Sequence, residues 1–203
     1  MDLPFPYFVA NTRRMTIPKP NRKQAIAQTA LALFAEKGYE QTSTQLIAKA
    51  AQVSEALIFK YHGTKEALLE HVITTGYKRV IEQLRGRLEG VDALTLIHRV
   101  IDMPLQLVAE EPEFWKVQSR LFDSELSRQQ HARFLQPLPG LLQQAFRQLG
   151  FAQPAEEGRL LLLVVDALWK HQANETDESL RPLLALLKTK YAVQAQALAG
   201  TSH

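Results

Sequence analysis

Apolar residues recur at intervals of three and four positions along most of the chain, which is the spacing of one face of an α-helix. The first such face consists of Ile26, Ala30, Leu33 and Phe34. Asn21 stands before this segment and Gly38 after it, and these residue types commonly cap and end helices. The pattern therefore predicts a first helix over about residues 21–37.

Two short helices follow, with a very short turn between them. The second is predicted over about residues 43–50, where Thr42 and Gln45 have the spacing of a capping box. The third opens at Ser54 and ends at Gly63. The positions that face inward on this pair are Ile47, Ala48, Ala51, Val53 and Ile58.

The rest of the chain continues the helical pattern. Thr64 is expected to cap a long fourth helix that runs to about Arg85, and a seventh helix is interrupted by Pro137 and Pro139. The fifth, sixth, eighth and ninth helices are predicted over about residues 92–109, 112–122, 154–172 and 179–196, with a kink at Pro104 in the fifth. Since no alternating strand pattern of useful length occurs, the predicted fold class is all-α, with about nine helices.

The composition is that of an ordinary globular protein, with 46% hydrophobic and 22% charged residues among 203. No window holds the roughly 18 uninterrupted apolar residues that a membrane span requires, so no membrane partner is expected. Residues 1–20 lack the long apolar run of a secretory signal. The absence of cysteine excludes disulfides, thiolate zinc sites and a thiol nucleophile. We therefore expect a cytoplasmic protein.

Positive charge is concentrated near the start of the chain. Residues 1–65 contain nine Lys and Arg against four Asp and Glu, a net charge of +5, whereas the remainder carries −2. A basic N-terminal third indicates contact with a polyanion at one end, and a solvated face with a chance excess of bases is the alternative. Residues 1–20, with four of the ten prolines, are expected to form a flexible basic arm, and Met15 is an alternative start.

The third helix has features of a helix that reads DNA. A helix fits the major groove when its exposed side faces the base edges. Leu57 and Phe59 are left toward the outside, where contact with sugars or thymine methyl groups would explain them. Free amides at the start of the fourth helix, beside Lys65, favour a phosphate, although the neighbouring Ser and Thr residues are explained equally well as plain caps. The residues expected at DNA are Thr42, Ser43, Thr44, Ser54, Glu55, Ala56, Leu57, Phe59, Lys60, Tyr61 and Lys65.

Residues 22–72 resemble the DNA-binding domain of the TetR/AcrR family of repressors, with the family's spacing kept without a gap. The matching residues are Ala30, Leu33, Phe34, Gly38, Tyr39, Thr42, Ser43, Ile47, Ala48, Val53, Ser54, Ile58, Tyr61, Lys65, Glu66 and Leu68. The resemblance implies a homodimer that binds a pseudo-palindromic operator in double-stranded DNA and is released by a small-molecule effector. It implies a helix-turn-helix domain at residues 21–64 and a ligand-binding and dimerisation domain at residues 65–203.

Three positions depart from the family pattern. Gln52 stands in the turn where the family usually has Gly, and a side chain in a left-handed turn costs roughly 1 kcal/mol. Phe59 replaces a Tyr whose hydroxyl reaches a phosphate, so Lys60 and Tyr61 are expected to carry more of that contact. His62 replaces a Phe and is expected at the edge of the core, bonded to a neighbour.

The C-terminal part supplies candidates for effector binding and dimerisation. Aromatic or polar residues near irregular helix segments are expected to line a pocket, with plain core packing as the alternative for His98, Met103, Trp115, Gln118, Phe122 and Phe134. The eighth and ninth helices are expected to form a dimer seam, with burial inside one protomer as the alternative for Leu161, Val165, Leu168, Leu180, Leu183, Leu184, Leu187 and Tyr191. Asp166, near this seam, is expected to find a partner across the dimer axis or at a helix end.

Two other classes of function are alternatives to a DNA-binding regulator. An enzyme is disfavoured because the chain has no Gly-rich phosphate loop, no nucleophile elbow and no recognisable metal spacing among its six His, so neither cofactor nor metal is expected. The second alternative is a ligand- or protein-binding helical dimer that has lost DNA binding, and Gln52 and Phe59 give it some support. Selection of DNA from random oligonucleotides distinguishes these alternatives.

Overall fold

The computed structural model describes residues 21–84, 86–175 and 180–200, so the predicted arm at residues 1–20 lies outside the described residues. Within these ranges the chain forms ten α-helices and no strand, which confirms the all-α prediction. They are α1 (Arg22–Lys37), α2 (Thr44–Ala50), α3 (Glu55–His62), α4 (Lys65–Leu84), α5 (Ala93–Glu110), α6 (Pro112–Arg120), α7 (Glu125–Leu135), α8 (Leu138–Gln148), α9 (Pro154–Asn174) and α10 (Leu180–Gly200). None of these helices is long and apolar enough to cross a membrane.

The additional helix arises where the predicted seventh helix divides in two. α7 ends at Leu135, and α8 begins at Leu138, directly after Pro137. A proline inside a helix removes an amide donor and clashes with the preceding turn, so the break falls at this proline. Pro104 lies inside α5 without ending it, since that helix continues to Glu110.

The first three helices enclose a small core that α4 completes. Ile26 and Phe34 of α1, Ile47 of α2 and Ile58 of α3 are all buried. α4 packs against α1 and α3 at this end and against α6 and α7 farther along. The same helix therefore belongs to both the N-terminal head, α1–α3, and the body formed by α5–α10.

A second connection between head and body runs through α6. This helix packs against α1. At its end, the Arg120 guanidinium donates a 2.8 Å hydrogen bond to the carbonyl of Ala35 and a 3.5 Å one to that of Phe34. These carbonyls belong to the last turn of α1, where a cation is favoured by the helix dipole. Movement of α6 would therefore be transmitted directly to α1.

Gly76 allows α4 and α6 to approach closely. A Cβ at Gly76 would overlap the Phe114 ring, which is itself fully buried. The ring also packs edge-on against Tyr77, with centroids 5.1 Å apart, and against Trp115, at 5.2 Å. Since Phe114 is confined on several sides, it cannot move aside for an additional methyl group.

Gly76→Ala is therefore expected to destabilise the protein, although alanine is the better helix former by about 1 kcal/mol. Overpacking of a filled core costs about 1–3 kcal/mol, so the net loss should reach up to about 2 kcal/mol. Thermal unfolding measures it. Gly140→Ala is the matched control, because Gly140 lies in α8 with no atom near its Cβ position, and this variant should be stabilised. Equal stabilisation of both variants would contradict the close packing at Phe114.

Candidate nucleic-acid interface

The start of α2 is capped by Ser43, whose side chain accepts a 3.1 Å hydrogen bond from the amide of Leu46. This differs from the predicted capping box of Thr42 and Gln45. Thr42 is fully buried, and its hydroxyl donates a 2.7 Å hydrogen bond to the carbonyl of Gly38. The Thr42 side chain therefore fixes the α1–α2 connection from inside and does not belong to the outer surface.

The turn between α2 and α3 has the geometry that its sequence predicts. Gln52 has a φ of 56°, so it occupies the left-handed conformation expected from the family pattern. The next amide, that of Val53, donates a 3.0 Å hydrogen bond to the carbonyl of Ala48. The side-chain hydroxyl of Thr44 also donates to the Glu55 carboxylate, which joins the first turns of α2 and α3. The two helices are thus held together at both the turn and their first residues.

α3 presents one buried and one open face. Ile58 lies in the core, whereas Ala56 and Lys60 are exposed and Phe59, a large apolar side chain, is 48% exposed. Leu57 and Tyr61 are partly buried, and Ser54 begins the helix without a side-chain capping bond. The open face therefore combines apolar surface with one positive charge and is available to a groove.

The start of α4 holds a positive charge in place. The Lys65 ammonium lies 4.1 Å from the centroid of the Tyr39 ring, and the Tyr39 hydroxyl donates a 3.2 Å hydrogen bond to Glu66. Burial, followed by the charge of Glu66, raises the pKa of Tyr39 to about 12. Thr64 caps the helix as predicted, by accepting a 3.1 Å hydrogen bond from Ala67. Hydrogen bonds from its own amide and from Thr64 lower the pKa of Glu66.

An open depression of about 490 Å³ joins these elements on one surface. Its walls include Ser43 and Thr44 from the start of α2, Phe59 from α3, and Thr64 and Lys65 from the start of α4. Capped helix starts, an exposed aromatic ring and a fixed ammonium therefore surround one concave surface. This arrangement suits a phosphate backbone beside a helix that enters a groove.

His62 has the role expected at the core edge. It is almost fully buried, and its Nε2–H donates a 3.2 Å hydrogen bond to the carbonyl of Lys23. Its ring also lies 5.2 Å from that of His71. Burial lowers the pKa of His62, with the Lys23 carbonyl opposing and His71 adding to the effect. Because the folded head favours neutral His62, its stability is full above about pH 6.5 and falls as His62 is protonated below that pH.

The six predicted pocket residues do not line one cavity. Trp115, Gln118 and Phe122 belong to a packed cluster in the body, in which Trp115 and Gln118 are fully buried. His98 of α5 faces α10, where its Nε2 donates to the carbonyl of Lys188. Of the six, Met103 and Phe134 line a surface cleft.

Asp166 finds three hydrogen-bond partners inside the protomer. Its carboxylate accepts hydrogen bonds from His131 at 2.8 Å, Trp169 at 2.8 Å and Lys170 at 2.7 Å. Burial alone would raise the pKa of Asp166, but these three donors hold it well below its usual range. The ion pair between Asp166 and Lys170, together with the bonds from His131 and Trp169, is therefore a structural element of the body.

Most residues predicted at the dimer interface are buried or partly buried within the protomer, so only part of this predicted interface is free to contact a second protomer. Of the predicted residues, those buried within the protomer are Leu161, Val165, Leu180, Leu184 and Tyr191. Leu168 and Leu187 are partly buried, and Leu183 is exposed. The large apolar residues left exposed on α9 and α10 are Leu160, Leu163, Leu183, Leu186 and Val193. The run at residues 160–165 is apolar on all sides, so its sequence does not determine which face packs inward.

Comparison with known proteins identifies the N-terminal region. Residues 26–72 match the bacterial regulatory proteins of the tetR family. The chain is 30% identical over 98 residues to the HTH-type transcriptional regulator YuxN of Bacillus subtilis, covering 48% of this chain and 34% of that protein. It is 28% identical over 103 residues to the nucleoid occlusion factor SlmA of Haemophilus influenzae, covering 49% and 46%. The chain thus matches about a third to a half of the length of these curated relatives.

Solved structures share the fold over most of the chain. The fatty acid degradation regulator FadR from Bacillus halodurans aligns with a TM-score of 0.66 and 20% identity, covering 84% of this chain and 94% of that one. A TetR-like regulator from a Rhodococcus species aligns with a TM-score of 0.66 and 21% identity, covering 91% and 99%. FadR from Bacillus subtilis in complex with stearoyl-CoA aligns with a TM-score of 0.63 and 20% identity, covering 86% and 96%. Residues 26–72 thus match the tetR family of bacterial regulatory proteins in sequence, and the chain shares the fold of solved TetR-like regulators.

Proposed function

We propose that the protein is a homodimeric, DNA-binding transcriptional regulator of the cytoplasm, and that a small-molecule effector releases it from a pseudo-palindromic operator. Its role is regulatory and not catalytic. The observation that carries this proposal is the surface on which the open face of α3 lies between the capped starts of α2 and α4. Repression is the simplest mode, because a protein bound at an operator blocks transcription there.

In this proposal α3 enters the major groove. Phe59 and Ala56 meet sugars or thymine methyl groups, and Lys60 reaches base edges or a phosphate. Ser43, Thr44 and Lys65 lie at helix starts and contact phosphates, which fixes the register of α3 without reading sequence. Phe59 has no hydroxyl for a phosphate, so these flanking contacts provide most of the backbone binding.

Dimerisation is proposed through the exposed apolar row on α9 and α10. Leu160 and Leu163 of α9 line a surface groove together with Gln194 of α10, so both helices border this groove. A patch of large apolar side chains on a protomer is typical of a surface that another protein covers. Two-fold pairing of this surface would bring two heads to the same side of the dimer and set the distance between half-sites.

Selection from random double-stranded oligonucleotides with purified protein tests the proposal. We expect enrichment of a pseudo-palindrome whose half-sites lie about one helical turn, or a small multiple, apart. Absence of enrichment would favour the alternative of a helical ligand- or protein-binding dimer without DNA binding. Enrichment of single half-sites would contradict the dimeric mode.

Lys65→Ala is expected to weaken binding to all DNA sequences alike. The ammonium held over Tyr39 is assigned to a phosphate, and each lost phosphate contact lowers the salt slope of log K by about one. Binding to the selected operator and to an unrelated duplex, measured at several salt concentrations, gives both quantities. Lys116→Ala on the exposed face of α6 is the control. Changed sequence preference with an unchanged salt slope would refute this role for Lys65.

A further inference from the structure

A cleft opens on the body where the end of α4 meets α5 and the break between α7 and α8. Its inner part, of about 200 Å³, is lined mainly by apolar side chains, among them Ile81, Met103, Phe134, Leu138 and Leu141. An outer part of about 570 Å³ shares Met103 and the neighbouring leucines with it and continues toward polar residues. The two parts therefore form one concave surface with an apolar end and a polar end.

The apolar end has uncovered side chains. Met103, Phe134 and Leu138 form its buried floor, whereas Ile81 is 42% exposed and Leu141 is 37% exposed. Large aliphatic groups that flank a concave space are covered favourably by an apolar ligand, because binding removes their surface from water. This end would accept a short hydrocarbon chain.

The polar end carries an available positive charge. Arg87 is paired with Glu110 at 2.9 Å. The guanidinium of Arg99 donates to the carbonyl of Arg87, and no acidic side chain pairs with it among residues 21–84, 86–175 and 180–200. Glu89 lines the inner part, whereas Arg99 lines the outer part. Arg99 is therefore the group in this cleft that would receive an anion.

We propose that this cleft binds an amphipathic organic anion, a monocarboxylate with an unbranched hydrocarbon chain. The hydrocarbon chain of this ligand lies between Ile81 and Leu141, and its carboxylate contacts Arg99 at the outer part of the cleft. This assignment rests on the proposed function in one respect, since it identifies the class of effector. α4 forms one wall of the cleft and also enters the head, so occupancy acts on the helix that positions α3.

Calorimetry of the intact protein without DNA tests the site, with decanoate, 1-decanol and butyrate as probes. Decanoate should bind more tightly than 1-decanol by about fivefold, the scale of a partly exposed ion pair, and butyrate should not bind measurably. Arg99→Gln should lower the affinity for decanoate to that for 1-decanol. Arg133→Gln, at an exposed position of α7, should leave the affinity for decanoate unchanged. Leu141→Asp should weaken decanoate and 1-decanol alike, because it places a charge in the apolar end.

The outcomes separate the site from the proposed function. Absence of decanoate binding, or binding that neither Arg99→Gln nor Leu141→Asp changes, would overturn the proposal. Equal affinity for decanoate and 1-decanol would overturn the assignment of an anion. Binding that follows the expected pattern but leaves operator affinity unchanged would support the site and contradict release by an effector. Failure of the protein to bind DNA at all would contradict the proposed function without affecting the calorimetric result.

Discussion

Replacing both Leu163 and Leu186 with Glu is expected to convert the protein to monomers and to remove most of its affinity for an operator. Both side chains are largely exposed on the protomer, at 63% and 64%. Two-fold symmetry places each substitution in the seam twice, so four carboxylates would lose water there. Since a buried unpaired charge costs several kcal/mol, the dimer dissociation constant should rise by about a thousandfold or more.

Light scattering over a range of concentrations measures this change, and circular dichroism reports whether the protomer remains folded. The fold should survive, because neither leucine belongs to the core of the protomer. Gln144→Glu is the control, since it adds a negative charge at an exposed position of α8 outside the proposed interface. A double variant that remained dimeric would show that the dimer interface lies on another surface of the protein.

The head could be predicted closely from the sequence because its boundaries depend on local interactions. Asn21 accepts a hydrogen bond from Lys23 at the start of α1, and Gly38, with a φ of 88°, follows its last residue. Gly63 ends α3 with a φ of 82°. The exception is the cap of α2, where adjacent Thr42 and Ser43 are both suitable residues. Only packing decides that the Thr42 hydroxyl turns inward to a backbone carbonyl.

The body was less predictable because its structure depends on which helix faces pack together, and these faces belong to segments far apart in the sequence. Aromatic residues beside helix breaks indicate either a pocket or a core. Phe134 contributes to both, with a ring 6.1 Å from that of Trp115 and an edge in the cleft. Likewise, the apolar run on α9 has two faces that suit burial, and α5 and α8 cover one of them. Periodicity gives the helices and their apolar positions but not which partner each face meets.

The network around Asp166 also could not be predicted in full. Trp169 and Lys170 lie three and four positions along the same helix, but His131 lies 35 positions away. Ser127 donates to Gln118, Gln118 donates to the Tyr77 hydroxyl, and that hydroxyl lies 3.0 Å from Nδ1 of His131. His131 Nε2 in turn donates to Asp166. This relay connects α4, α6, α7 and α9 through one carboxylate.

Asp166→Asn is accordingly expected to lower the free energy of unfolding by about 2–3 kcal/mol. The carboxylate accepts three hydrogen bonds, and bonds to charged groups contribute about 1.5–3 kcal/mol each before allowance for a side chain that is 26% exposed. An asparagine amide would keep an acceptor for His131 or Trp169 but would present its own N–H groups to the Lys170 ammonium. The loss should therefore exceed that of an isosteric change on the surface.

Urea unfolding at a fixed protein concentration measures this loss, with Asp123→Asn at an exposed position as the control. The pH dependence identifies the group responsible. Because the folded-state pKa of Asp166 lies below its ordinary value of 3.8, its contribution is complete well above that pH and declines as pH falls toward the folded pKa. The difference between wild type and Asp166→Asn should thus remain constant from about pH 8 to 5 and shrink below about pH 4. A difference that disappeared already near pH 6 would show that the effect does not come from the Asp166 carboxylate.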